Sequence, residues 1–269
     1  MYSQIINNPV AGVLIITGIL FFIFFLGYFI KRFSHSKSIP FYPINKKKDS
    51  LLTIGIIGDS WVTHKKLDKI LHDDLLKNGF KNRIISAGQS GAKSKAIYHN
   101  LFKDPVEKNS SKFIIENQPD FCIVIAGVND AVGQMGSRYY AHHLTNIIKT
   151  LCHYNIQPAI VSLPNVGIKE MMHKMNLFKQ FRNLISAVFN NGAVVDNIQS
   201  YRKKFYDTLV QENLKNRIIF IDYDQACEGF SEKSDLYYNP IHLSPKGNEK
   251  LGRSIADILT KEIKKGIHA

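Results

Sequence analysis

LLTIGIIGDS, residues 51–60, is the stretch that decides the fold. It is a short apolar run, rich in β-branched residues, that stops at Gly58-Asp59-Ser60. A run of this length, apolar at successive positions, fits a strand buried on both faces. FCIVIAGVND (121–130), PAIVSLP (158–164) and RIIFIDYD (217–224) repeat the design, and Arg83–Ser86 is a further strand candidate before a glycine turn at 87–91. Between them lie helical patterns. Leu67, Ile70, Leu71 and Leu75 have helical spacing within 64–78, and further helices are expected at about 107–117, 137–154, 170–190, 197–214 and 245–264. Strands buried on both faces that alternate with helices predict a parallel sheet covered on both sides. The expectation is a three-layer α/β/α domain with a doubly wound, five-stranded parallel sheet. In such domains ligands bind outside the carboxyl ends of the strands, and the polar turns fall there.

The bulk numbers fit one such domain. The chain has 269 residues, 45% hydrophobic and 21% charged, with no internal repeat. Its net charge is +13, but there is no basic helix and no aromatic–basic interleaving of the kind that grips nucleic acid. No nucleic-acid partner is expected. Cys122, Cys152 and Cys227 are too widely spaced for a zinc pattern, and an odd count argues against a disulfide framework. Cys122 lies in an apolar run and reads as a small buried residue.

The first part of the chain is different. Residues 9–30, PVAGVLIITGILFFIFFLGYFI, carry no charge and are long enough to cross a bilayer as a helix. A cleavable signal peptide is the rival, and it would want a basic start and a small-residue cleavage site. Neither is present. Lys31, Arg32, Lys37, Lys46, Lys47 and Lys48 all follow the apolar stretch. The positive-inside rule then puts the rest of the chain on the cytoplasmic face; a periplasmic or extracellular face is the alternative. The expected organisation is a transmembrane anchor over 1–32, a basic tether over 33–50 and a globular domain over 51–269.

Four short motifs stand at strand ends or just before the last helix: Gly58-Asp59-Ser60, Ser90-Gly91, Gly127-Val128-Asn129-Asp130 and Asn239-Pro240-Ile241-His242. Together, and in this order, they resemble the four blocks of the SGNH hydrolases, a family within the GDSL esterases and lipases. The resemblance runs from about 51 to 262 and includes Leu243-Ser244-Pro245-Lys246-Gly247 at the start of the last helix. It implies a flavodoxin-like fold, Ser60 as nucleophile, His242 as base, and an oxyanion hole made by the N–H groups of Ser60 and Gly91 and the side chain of Asn129. The residue types suit these roles. A serine hydroxyl needs a neighbouring base to take its proton, and an oxyanion needs preorganised donors. No cofactor or metal is needed.

One position departs from the family pattern, which has Asp three residues before the histidine. This chain has Asn239. Its carbonyl can accept the Nδ1–H bond but supplies no charge; papain-like enzymes use an asparagine in this place. Three arrangements stay open at this level: a Ser–His pair aided by Asn239, help from another carboxylate such as Asp235, or low activity. Ser86 also stands where many family members have Asn.

Taken singly, each motif has a plainer reading. Asp59 and Ser60 could cap a helix, Asn129 and Asp130 could form a turn, and the other histidines, including His142 and His143, read as solvated. Asp130 is read as structural. Gly88-Gln-Ser-Gly-Ala-Lys-Ser94 is not a phosphate loop, because Ala92 separates the glycine from Lys93. The expected function is ester hydrolysis through an acyl-serine, on an acylated small molecule, glycan or lipid at the membrane, with a small acyl group such as acetyl. O-acyl transfer at the same site is the alternative, as is a catalytically weak module that binds acylated glycans or lipids.

Overall fold

A computed structural model describes residues 9–44, 51–63, 66–191, 197–231 and 234–267. Pro9–Phe33 forms α1. Its stretch Val10–Phe33 has a mean hydropathy of 2.7 and is long and apolar enough to cross a membrane, a criterion that a signal sequence also meets. Lys31 and Arg32 close its last turn. The chain divides into two compact units, Met1–Ser36 and Lys37–Ala269.

The second unit starts ahead of the expected domain boundary. Within the segment read as tether, the Ile39 N–H donates to the Tyr98 hydroxyl at 2.9 Å. The Tyr42 N–H donates to the Tyr154 hydroxyl, which in turn donates to the Tyr42 carbonyl, both at 2.9 Å. Phe41 stacks on His153. Residues 37–44 are therefore part of the globular unit's surface. The rest of that segment, with Lys46, Lys47 and Lys48, lies outside the described residues.

The globular unit alternates as the pattern predicts. Its elements in order are β1 (Leu52–Gly58), α2 (Ser60–Thr63), α3 (Lys66–Lys77), β2 (Asn82–Gly88), α4 (Ser94–Asn100), α5 (Lys112–Glu116), β3 (Phe121–Ile125), α6 (Val128–Val132), α7 (Ser137–His153) and β4 (Gln157–Val161). These are followed by α8 (Ile168–His173), α9 (Leu177–Asn191), α10 (Ile198–Gln211), β5 (Ile219–Ile221), α11 (Tyr223–Ala226), β6 (Tyr237–Asn239), β7 (His242–Leu243) and α12 (Pro245–Ile267). Strands β1 to β5 form one parallel sheet in the order β2-β1-β3-β4-β5. The α3 and α12 helices pack together, while α7 packs against both α4 and α10, so helices form a layer on each face of the sheet. The core is the doubly buried strands: Ile54, Ile56, Ile57, Ile123, Val124 and Ile160 are fully buried.

The order of strands places the site. From β1 the chain moves outward to β2, then crosses to the other side of β1 for β3. The β1–β3 border is the switch point, where loops from neighbouring strands diverge and leave a crevice. Gly58 pairs with Gly88 on one side and with Ile125 on the other, so three strands end level there. Gly58 permits this closeness, because a Cβ would lie 2.3 Å from the Ile125 carbonyl oxygen.

Three expectations differ in detail. The helix expected at about 107–117 is confined to Lys112–Glu116. The helix expected over 170–190 is two helices, because the Asn176 side chain accepts the Lys179 N–H at 2.9 Å and caps a fresh start at Leu177. His143 is not solvated. It is fully buried, with Nδ1 against the Tyr139 carbonyl at 2.8 Å, because its face of α7 packs inward.

Candidate active site

Ser60 stands one residue beyond the end of β1, after Asp59, and is the first residue of α2. The first N–H groups of a helix have no acceptor within it, so the N–H of Ser60 points out of the turn as a donor. Its hydroxyl lies 2.9 Å from His242 Nε2. His242 begins β7 of a short antiparallel hairpin whose other strand ends at Asn239. Two bonds moor that hairpin loop to the domain. The Trp61 indole N–H donates to the Ile241 carbonyl at 2.8 Å, and the Gly167 N–H donates to the Pro240 carbonyl at 2.8 Å. The Tyr238 ring stacks on the imidazole, with planes 13° apart.

The tautomer of His242 follows from its neighbour. Asn239 Oδ1 accepts the Ile241 N–H at 3.0 Å, and a backbone N–H can only donate, so an oxygen must face it. That same oxygen is 3.1 Å from His242 Nδ1. Nδ1 therefore carries the proton, and the Nε2 lone pair faces the Ser60 hydroxyl. Asp235 plays a different part. Its carboxylate pairs with the Lys246 ammonium on the surface, and its carbonyl accepts the Ser244 hydroxyl at 2.6 Å.

The oxyanion candidates gather around the same turn. Asn129 Nδ2 donates to Asp59 Oδ2 at 3.2 Å, and Asp59 Oδ1 accepts the Trp61 N–H at 3.0 Å. One carboxylate thus caps α2 and holds the Asn129 amide. The Gln89 N–H donates to the Gly58 carbonyl at 3.0 Å, which holds the turn carrying Gly91 beside the end of β1. Gly91 has φ +74°, a left-handed conformation open to glycine at little cost. Asp130 is buried and accepts both the N–H and the hydroxyl of Ser94, at 2.8 and 2.7 Å. It ties the Gly91 turn to the Asn129 turn, in keeping with the structural role read for it.

Both aspartates are electrostatically unusual. Burial pushes Asp59 up to about 7, against the pull of the Trp61 N–H, with Asp130 adding to the rise. Burial likewise pushes Asp130 up to about 6, against the Ser94 bonds.

The arrangement sits on a fold seen in other solved proteins. A psychrotrophic esterase from Pseudoalteromonas sp. superposes with a TM-score of 0.51 at 19% identity, over 81% of this chain and all of that one. A protein from Bacteroides fragilis NCTC 9343 assigned as an acylhydrolase gives 0.54 at 12% identity, over 83% and 91%. A protein from Desulfitobacterium hafniense DCB-2 assigned to the G-D-S-L lipolytic family gives 0.53 at 12%, over 77% and 99%. The globular unit has the SGNH-hydrolase fold. No protein-family model matches the sequence, and no curated protein matches it significantly.

Within that fold, Ser60, His242 and Asn239 form one hydrogen-bonded chain, and Asn129 bonds to Asp59, the residue before Ser60. What the sequence reading missed is Asp59 as the holder of Asn129. The Gly-Asp-Ser motif names the residue, but the partner is 70 positions away. Asp59 carries a testable consequence for stability. In the unfolded chain its carboxyl ionises around 3.8, and in the folded protein only around 7. Its contribution to stability is full at low pH and is lost as pH rises from about 4 to about 7. Asp59→Asn is expected to flatten the fall in the urea midpoint across that window relative to the parent. An unchanged profile would mean that Asp59 ionises normally.

Proposed function

We propose that this chain is a carboxylic ester hydrolase acting through an acyl-Ser60 intermediate. The hydrogen-bonded run Ser60–His242–Asn239 supports this reading above all, because Nε2 is placed to take the Ser60 proton while Nδ1–H is held from behind. Ser60 Oγ attacks the ester carbonyl as His242 accepts its proton. The N–H groups of Ser60 and Gly91 and the Asn129 amide receive the oxyanion. His242 returns the proton to the departing alcohol, then activates the water that releases the acid.

The reading extends to a small acyl group, such as acetyl, on a carbohydrate or lipid, with α1 holding the chain in a membrane and the globular unit on the cytoplasmic face by the flanking charge of Lys31 and Arg32. The test uses the full chain in detergent with p-nitrophenyl acetate and a fluorophosphonate probe. Turnover and labelling that depend on Ser60 are expected. A folded chain that shows neither would overturn the proposal and favour a binding module.

Asn239 lowers the charge of the relay without spoiling its geometry. In serine proteases the Asp→Asn change costs about 10⁴ because the imidazole takes the wrong tautomer. Here the Ile241 N–H enforces the right one. Asn239→Asp is therefore expected to raise kcat/KM by only about tenfold, the size of about 1.4 kcal/mol. A gain near 10⁴ would show that asparagine disables the site.

A further inference from the structure

A cavity of about 400 Å³ borders Gly91 and runs along α4 between it and Tyr139 of α7. Lys93, Lys95, His99 and Lys103 line it, and no aspartate or glutamate is among the described residues that do. Lys95, His99 and Lys103 recur every fourth position along α4 and the turn after it, so they form one row about 12 Å long at 1.5 Å per residue. All four basic groups are half-buried. The field they make is felt within the row: desolvation first, then Lys95 and Lys103, hold the His99 imidazole below its ordinary range. The volume is that of a small-molecule site, and like charges lining a concave wall concentrate the potential inside it.

We propose that this cleft receives an anionic group of the phosphate class on the alcohol part of the ester. The inference rests on the esterase reading above. Gly91 is shared between the oxyanion turn and the cleft wall, so a substrate with its carbonyl at Ser60 continues along the row. With the small acyl group held at Ser60, the alcohol part is the portion of the ester left to enter the cleft. The lysines suit phosphate because an ammonium acts as a point charge that needs no fixed geometry. Neither Lys95 nor Lys103 belongs to the catalytic set.

The experiment compares two aryl acetates on the full chain in detergent. One is p-nitrophenyl acetate; the other carries a phosphate monoester on its alcohol part. Lys95→Gln and Lys103→Gln are each expected to lower kcat/KM for the phosphorylated ester by about tenfold, mainly through KM, a loss of about 1.4 kcal/mol each. The neutral ester should change less than about twofold by the same scale. The advantage of the phosphorylated ester should also shrink as salt rises. Equal effects on the two esters, or none on either, would overturn the proposal. A parent chain that turns over neither ester would instead overturn the esterase reading. Calorimetry with the phosphorylated alcohol then still decides the cleft: binding weakened by Lys95→Gln keeps it as an anion site, and no binding removes it.

Discussion

Ser60→Ala is expected to reduce turnover of p-nitrophenyl acetate by about 10⁶-fold, the scale on which a serine hydrolase loses its nucleophile. The change removes one oxygen and little else. Ser60 occupies the first position of α2, where alanine is an acceptable helix former. The capping bond from the Trp61 N–H goes to Asp59, not to Ser60, so the turn keeps its shape. His242 keeps its bond to Asn239 and loses only the partner at Nε2. The melting temperature should stay close to that of the parent while turnover and fluorophosphonate labelling vanish together. His242→Ala should cost a comparable factor, and the double variant little more than either single one, because the two groups act as a unit. Full residual turnover in Ser60→Ala would place the chemistry elsewhere.

The second large effect is expected at Asn129. Its amide is the one side-chain donor proposed for the oxyanion hole, and loss of one such donor costs about 10²–10³ in kcat. Asn129→Ala should therefore depress kcat by that factor and leave KM nearly unchanged, because the donor matters once charge has developed on the oxygen. A second consequence separates this role from a turn-forming one. The Asn129 amide holds Asp59 towards its ionised form. Without it, the buried carboxyl should keep its proton to still higher pH, and the stability profile should shift accordingly. A change in stability with kcat intact would leave Asn129 a structural residue.

Much of this was legible in the sequence, for local reasons. Residues 54–58 and 121–125 are apolar at every step, and runs this short and β-branched fit a strand covered on both faces. The alternation of such runs with helical spacings dictates a parallel sheet, and the polar turns after β1, β2 and β3 had to fall at its carboxyl edge. Other features were not legible. The expected helix over 170–190 hid a restart that depends on one side chain, Asn176, reaching a backbone N–H. His143 looked like its neighbour His142, and only the packing of α7 buries it.

The strands of the sheet and the polar turns that follow them were thus legible through periodicity and turn chemistry acting over a few residues, while the roles expected of Ser60, Gly91, Asn129 and His242 came from the family resemblance of their motifs. Only the tertiary structure shows the Ile241 N–H bonded to the asparagine oxygen that faces His242, and Asp235 turned to Lys246. It also decided that Asp59 holds Asn129. The reason is distance along the chain: Ser60 and His242 are 182 positions apart, Asp59 and Asn129 are 70. Partnerships of that span are set by the order of strands in the sheet and by what each loop packs against, which no local pattern encodes.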